Sequence, residues 1–255
     1  MNEIERILLV TDLDNTLVGD DHATQKLNQI LYQHRQHCLL VYATGRSYGS
    51  AQQLKLEREL IEPNYWVTGV GSEIYCGKSL DLDWARHIGA DWQREAIAKL
   101  IGERFPELQL QSPKEQNPWK MSFHLLGAAS AIAKLIANLR SANLKAQVVF
   151  SSNIDVDILP VNAHKGYAVQ YLQQRLGITN ARTLVCGDSG NDISMFQQPA
   201  LGVIVNNAQL ELIEWYAAHA NAERHYFAKN AYAAGILEAL QKFNLLDGLY
   251  QFTKV

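Results

Sequence analysis

Two aspartates two positions apart, Asp12 and Asp14 in the run Asp12-Leu13-Asp14-Asn15-Thr16, directly follow the apolar stretch Ile7-Leu8-Leu9-Val10. A leucine-rich, β-branched run of that length reads as a buried parallel strand. The loop leaving such a strand lies at the carboxyl edge of a sheet, where open α/β folds take their ligands. Carboxylates at that spacing suit a nucleophile with an acid/base partner, a Mg2+ site, or both. Three further pieces follow in order: Thr44-Gly45-Arg46, Lys165, and Gly187-Asp188-Ser189-Gly190-Asn191-Asp192. The first and last of these also follow apolar runs, Leu39-Leu40-Val41-Tyr42-Ala43 and Thr183-Leu184-Val185-Cys186. A lone Asp-x-Asp is common in solvated turns; the ordered set at strand ends is what points to chemistry.

The set contains what hydrolysis of a phosphate monoester needs: a nucleophile, charge neutralisation and protonation of the leaving group. Asp12 is the natural nucleophile, giving an aspartyl-phosphate that splits the displacement in two. Asp14 would protonate the departing oxygen and then take a proton from the attacking water. Mg2+ prefers oxygen ligands and needs few protein carboxylates. Asp188 and Asp192 can supply them, with Asp12 as a direct ligand and the Asp14 carbonyl as another. Thr44 offers a hydroxyl, and Gly45 allows close backbone approach to phosphoryl oxygens. Lys165, at the start of an expected helix, complements an anion at that helix's positive end, and Asn191 would orient Lys165 or a metal ligand. Arg46 reads equally as a salt-bridge partner or a substrate contact.

The elements that must position these groups alternate. A helix over 24–36 precedes strand 39–43, a helix spans Ser47 to Leu60, strand 65–68 follows, and Glu73 to Gly77 begins a hairpin. This alternation argues for a parallel sheet covered by helices. Near residue 84 the pattern changes to helix Trp92–Phe105, strand Lys120–Leu125, helix 128–142, and strands 146–150 and 156–159. Alternation then resumes: helix 165–176, strand 183–187, helix 191–197, strand 202–205, helix 209–218 and a last helix near 231–243. The expected architecture is α/β: a Rossmann-like parallel-sheet core from 1–83 and 163–255, with an α+β cap inserted at 84–162. Gly69-Val70-Gly71 lacks the third glycine of a dinucleotide loop and reads as a flexible passage beside the site. The aromatics Trp215, Tyr216, Tyr226, Phe227 and Phe243 read as helix-to-sheet packing, and Trp119 as core rather than a sugar platform.

The composition, 47% hydrophobic and 19% charged over 255 residues, supports a sizeable core and no disordered tracts. A net charge of −3 gives no general attraction to nucleic acid or anionic membranes. No apolar stretch approaches the roughly 18 residues of a bilayer span, so neither is an expected partner. Acidic Glu3 and Glu5 ahead of the first strand argue against a secretory leader. Cys38, Cys76 and Cys186 are odd in number and lie in or beside strand-like runs, which reads as reduced, buried thiols in a cytoplasmic protein.

The four pieces resemble the four motifs of the haloacid dehalogenase superfamily along the whole chain. The resemblance implies Asp12 as nucleophile, Asp14 as acid/base, Thr44 and Lys165 as phosphate-handling residues, and Asp188 and Asp192 as the acidic fourth motif. Asp at position 14 resembles the phosphatases and mutases of that superfamily, and the insertion resembles the cap of its sugar-phosphatase branch. A narrower resemblance, to the sucrose-phosphate phosphatases of cyanobacteria and plants, lies in Tyr42–Ser47, Val70–Tyr75 and Gln111-Ser112-Pro113-Lys114-Glu115-Gln116-Asn117-Pro118-Trp119-Lys120. It implies sucrose 6-phosphate as substrate, Mg2+ as cofactor, and Glu115, Gln116, Asn117 and Lys120 as sugar contacts. Association with a sucrose-phosphate synthase is a further expectation. Alternatives are a phosphatase for mannosyl-3-phosphoglycerate or trehalose phosphate, or a sugar-phosphate-binding module without turnover.

Overall fold

The structure is a computed structural model and describes residues 6–245. Glu3, Glu5 and residues 246–255 of the expected core segment therefore lie outside it.

The apolar runs become strands. Six lie parallel in one sheet: β1 (Ile7–Thr11), β2 (Cys38–Ala43), β3 (Tyr65–Thr68), β10 (Thr183–Gly187), β11 (Leu201–Ile204) and β12 (His225–Phe227). The short antiparallel pair β4 (Glu73–Cys76) and β5 (Ser79–Leu80) extends one edge, giving the order β12-β11-β10-β1-β2-β3-β4-β5. Every residue of β1 and β10 is buried, as a sheet covered on both faces requires. On one face, α1 (Asp21–Gln33), α2 (Tyr48–Glu57) and α9 (Tyr232–Lys242) pack Leu27, Leu54 and Ile236 against Leu9 and Leu40. On the other, α3 (Leu82–Gly89), α6 (Lys165–Leu176), α7 (Ile193–Phe196) and α8 (Leu210–His219) pack Trp84, Leu172, Phe196 and Leu212 against Val10 and Val185. Strand order reverses between β1 and β10, so the crevice for a ligand falls where Asp12 and Asp188 emerge.

Between α3 and α6 the chain builds a second, antiparallel sheet in the order β6-β7-β9-β8: β6 (Leu108–Leu110), β7 (Met121–Leu125), β8 (Ala146–Ser151) and β9 (Asp155–Pro160). Helices α4 (Arg94–Arg104) and α5 (Ser130–Ser141) cover one face, where Ile97, Leu135, Met121, Phe123, Val156 and Ile158 form a separate core. Residues two apart on a strand share a face. Ser122, His124, Asp155 and Asp157 therefore lie opposite the helices, paired Ser122 with Asp157 and His124 with Asp155.

Several boundaries differ from expectation for identifiable reasons. α1 starts at Asp21, three residues early, because Asp20 caps it by accepting the Ala23 N–H. α3 was not expected; Asp81 caps it by accepting from Asp83 and Trp84. Tyr226 and Phe227 lie in edge strand β12, which was not expected, and pack on Phe243 and Tyr216 at the helices beside it, as helix-to-sheet packing requires. All three cysteines are free, with Cys38 and Cys186 buried, but Cys76 is exposed. The Gly69–Gly71 passage is a buried 3-10 turn with Val70 at φ 61. Gly71 has φ +100, and a Cβ there would lie 2.3 Å from the His164 carbonyl carbon, so only glycine lets this turn press against the start of α6. Among the described residues no helix is long and apolar enough to cross a membrane.

Candidate active site

The carboxyl ends of β1, β2 and β10 bring Asp12, Thr44 and Asp188 together, and the first residue of α6 delivers Lys165 from beneath. Lys165 is fully buried, and its ammonium donates to Asp12 Oδ1 at 2.7 Å, Asn191 Oδ1 at 2.6 Å and Asp192 Oδ1 at 2.7 Å. All three N–H bonds are thus spent. Burial alone would lower the Lys165 pKa, but the charges of Asp12 and Asp192 outweigh it and hold it above its ordinary value. Asp192 Oδ2 accepts the backbone N–H groups of Asp188 (3.0 Å) and Ser189 (3.1 Å), which shapes the fourth-motif loop. A Cβ on Gly187 would lie 2.5 Å from Asp192 Cβ, so glycine at 187 is what lets that carboxylate fold back under the loop.

Asp14 points away from this cluster, toward Arg46, in a two-pronged pair: Nε to Oδ2 at 2.7 Å and a terminal nitrogen to Oδ1 at 2.8 Å. Thr44 is buried and its hydroxyl accepts the Arg46 N–H, holding the turn that presents the guanidinium. Thr16 donates to Asp188 Oδ1 at 3.0 Å; it stands in the first motif, but its orienting role was not anticipated.

Above these groups is an open polar cavity of about 330 Å³. Its floor includes Asp12, Asp14, Thr44, Gly45, Asp188 and Asn191, and its roof is the polar face of the second sheet. Of the four expected sugar contacts, Glu115 and Lys120 line it. Lys120 is almost fully buried, 3.4 Å from both the Gly45 carbonyl oxygen and Asp157. Gln116 and Asn117 do not line it. The Gln116 amide bonds the backbone of Gln111 and Ser122, whereas Asn117 donates to Ser72 Oγ and accepts the Trp119 N–H. Both tie the segment to itself and to the core. Trp119 packs partly buried against the large-sheet core. Gln111, Ser151, Ser152, Asp155 and Asp157 line the cavity unforeseen. The signal for the last two was present: Asp155 and Asp157 alternate with Val156 and Ile158, which puts both acids on one strand face.

A family model described as sucrose-6F-phosphate phosphohydrolase matches residues 5–244. The chain belongs to the sucrose-6F-phosphate phosphohydrolase family. Within it, the chain is 47% identical to a sucrose-phosphatase from Synechocystis sp. PCC6803 whose crystal structure holds sucrose and phosphate. The two superpose with a TM-score of 0.91 over 94% of this chain and 98% of that one. It is 37% identical to sucrose-phosphatase 1 of Nicotiana tabacum over 94% of its length, but spans only 60% of that plant protein. It is 34% identical to the mannosylfructose-phosphate phosphatase of Agrobacterium fabrum, over 93% of this chain and 97% of that one.

The centre of this family member carries more negative charge than it balances. Asp12, Asp188 and Asp192 are all buried with carboxylate oxygens within 4.8 Å of one another, and the Lys165 ammonium pairs with Asp12 and Asp192 but not with Asp188. Burial, against the pull of Lys165, raises Asp12 to about 7. Burial and the charges of Asp12 and Asp192 raise Asp188 to about 8 despite the Thr16 hydrogen bond. Hard oxygen donors with uncompensated charge fit a divalent cation. Asp192, with Oδ1 on Lys165 and Oδ2 on two N–H groups, holds the loop and the ammonium, leaving Asp12 and Asp188 as the better-placed ligands.

Proposed function

We propose that this chain is a Mg2+-dependent phosphatase that hydrolyses sucrose 6-phosphate to sucrose and phosphate, the last step of sucrose synthesis. The observation that carries the reading is buried Asp12 on the floor of a cavity roofed by a polar sheet face, held from beneath by Lys165. Family membership and the sucrose and phosphate in the Synechocystis relative support it. The segment 84–162 acts as the cap. Asp12 attacks phosphorus, the bond from phosphorus to the sugar oxygen breaks, and Asp14 gives that oxygen its proton. Asp14 then takes a proton from the water that cleaves the aspartyl-phosphate, which frees phosphate and restores both carboxyl groups. The Arg46–Asp14 pair must open, or hand Arg46 to the substrate, for either transfer. Thr44, Gly45 and Asn191 hold the phosphoryl oxygens, and Lys165 keeps the nucleophile in line through its bond to Asp12. Mg2+, held by Asp12, Asp188 and the Asp14 carbonyl, would supply charge neutralisation on those oxygens. Glu115 and Lys120 meet sugar hydroxyls. A cytoplasmic location, and docking to the synthase that makes the phosphorylated disaccharide, belong to the same reading.

Phosphate release with Mg2+ tests it, using sucrose 6-phosphate, mannosylfructose-phosphate, trehalose phosphate and mannosyl-3-phosphoglycerate. Preference for sucrose 6-phosphate of about tenfold or more in kcat/KM is expected, a gap of about 1.4 kcal/mol. Preference for mannosylfructose-phosphate would keep the chemistry and replace the sugar; binding without release would make the chain a binding module.

The metal reading has its own test. Asp12 and Asp188 titrate in the fold well above the ordinary carboxylate value of 3.8. Their contribution to stability is therefore complete below about pH 4 and lost as pH rises through about 7 to 8. In EDTA the melting temperature is expected to fall from about pH 5.5 to about pH 8.5. Mg2+ is expected to raise it more at the higher pH, where it displaces fewer protons. An equal Mg2+ shift at both pH values would remove these two residues as joint ligands.

A further inference from the structure

Glu211 lies in the first turn of α8, where an acidic side chain is ordinarily explained by the helix dipole. Its hydrogen bonds go elsewhere. Oε1 accepts the backbone N–H of Gly190 at 3.3 Å and that of Ser152 at 3.2 Å. Gly190 sits in the fourth-motif loop between Asp188, which lies beside the nucleophile, and Asn191, which holds Lys165. Ser152 is at the tip of the β8–β9 hairpin, where it and Asn153 adopt left-handed φ values of 53 and 56. The same hairpin places Ser151, Ser152 and Asp155 in the cavity roof. Helix α8 is itself fixed to the loop, since the Gln209 N–H donates to the Asp188 carbonyl at 2.7 Å. One carboxylate oxygen thus bridges the loop that presents the catalytic floor and the hairpin that forms the roof. Asn117 to Ser72 and Lys120 to Gly45 tie the same roof to the core through other segments of the chain.

We propose that Glu211 is a positioning residue, a latch that holds the roof hairpin closed on the fourth-motif loop and so tightens binding of substrates that reach the roof. The proposal rests on the reading of this cavity as a sugar-phosphate site. Charge-assisted bonds to backbone amides are stronger than neutral ones, yet a latch must open for product to leave, and the half-buried Glu211 with exposed Ser152 allows that.

The test compares Glu211→Ala and Glu211→Gln with the parent chain. Substrates are sucrose 6-phosphate and p-nitrophenyl phosphate, which is too small to need the roof, and amide hydrogen exchange is followed over residues 150–155. Glu211→Ala is expected to raise KM for sucrose 6-phosphate about tenfold, a change of about 1.4 kcal/mol, with kcat/KM for the aryl phosphate changed less than about twofold. Exchange in the hairpin speeds about tenfold by the same argument. Glu211→Gln keeps an accepting oxygen but loses the charge, and falls between the parent and the alanine variant in both readouts. Equal losses on both substrates, or hairpin exchange unchanged in the alanine variant, would overturn the latch. Should the enzyme turn over no sugar phosphate, the functional reading fails, while the exchange experiment still decides the latch.

Discussion

Lys165→Met is expected to lose phosphatase activity and to lower stability by about 3–5 kcal/mol near pH 8, because it leaves buried carboxylates without their cation. Methionine nearly matches the lysine stem in length, so the packing of the fully buried side chain changes little and the charge is what is removed. The ammonium's three acceptors, Asp12, Asn191 and Asp192, lose their donor at once. At about 2–4 °C per kcal/mol for a chain of this size, the melting temperature falls by about 6–20 °C. The loss has a direction in pH. Burial already raises Asp12, and Lys165 is the group that pulls it down. Without Lys165 the folded value rises further above that of the unfolded chain, so the destabilisation grows as pH rises and shrinks on acidification. Thermal melts in EDTA at about pH 5.5 and about pH 8.5 check this. A variant as stable as its parent at the higher pH would show that the carboxylates there do not depend on Lys165 for their charge balance.

The floor of the site was legible because chemistry and secondary structure coincide there. Asp12, Thr44 and Asp188 each end an apolar run, and three adjacent parallel strands can only bring those ends together. Lys165 was legible as the opening of a helix. The roof was harder to read, since it depends on register between distant strands. Ser122 faces Asp157 and His124 faces Asp155 only once β7 and β9 are paired, and no local pattern fixes that pairing. The segment from Gln111 to Lys120 shows the converse problem. Polar residues in a loop suit a ligand and the loop's own backbone equally well, and Gln116 and Asn117 are spent on the second. Short elements were missed for a third reason. β12 has three residues and α3 eight, too few for periodicity to stand out, and tertiary packing decides their form.

Asp12→Asn is expected to separate function from stability in the opposite sense. An amide cannot form the aspartyl-phosphate, so phosphate release drops on the order of 10⁵-fold or more, to the assay floor. In the cation-free protein the same change is expected to be stabilising at about pH 8, on the order of 1–3 kcal/mol. Asparagine imitates the protonated carboxyl that burial favours, and its Oδ1 still accepts from Lys165. Asp12 titrates at about 7 in the fold, so its stabilising protonated form is lost as pH rises through that value. The advantage of asparagine is therefore largest above about pH 7 and shrinks toward about pH 4. Mg2+ reverses the order, because only the parent offers it the ionised oxygen. Melting curves of both chains with EDTA and with Mg2+ read all of this at once. A variant less stable than its parent at about pH 8 in EDTA would mean that the Asp12–Lys165 attraction exceeds the cost of keeping the nucleophile ionised and dry. The expected outcome makes that cost the consequence of chemistry: a carboxylate that attacks phosphorus must be charged, shielded from water and short of partners until substrate and cation arrive.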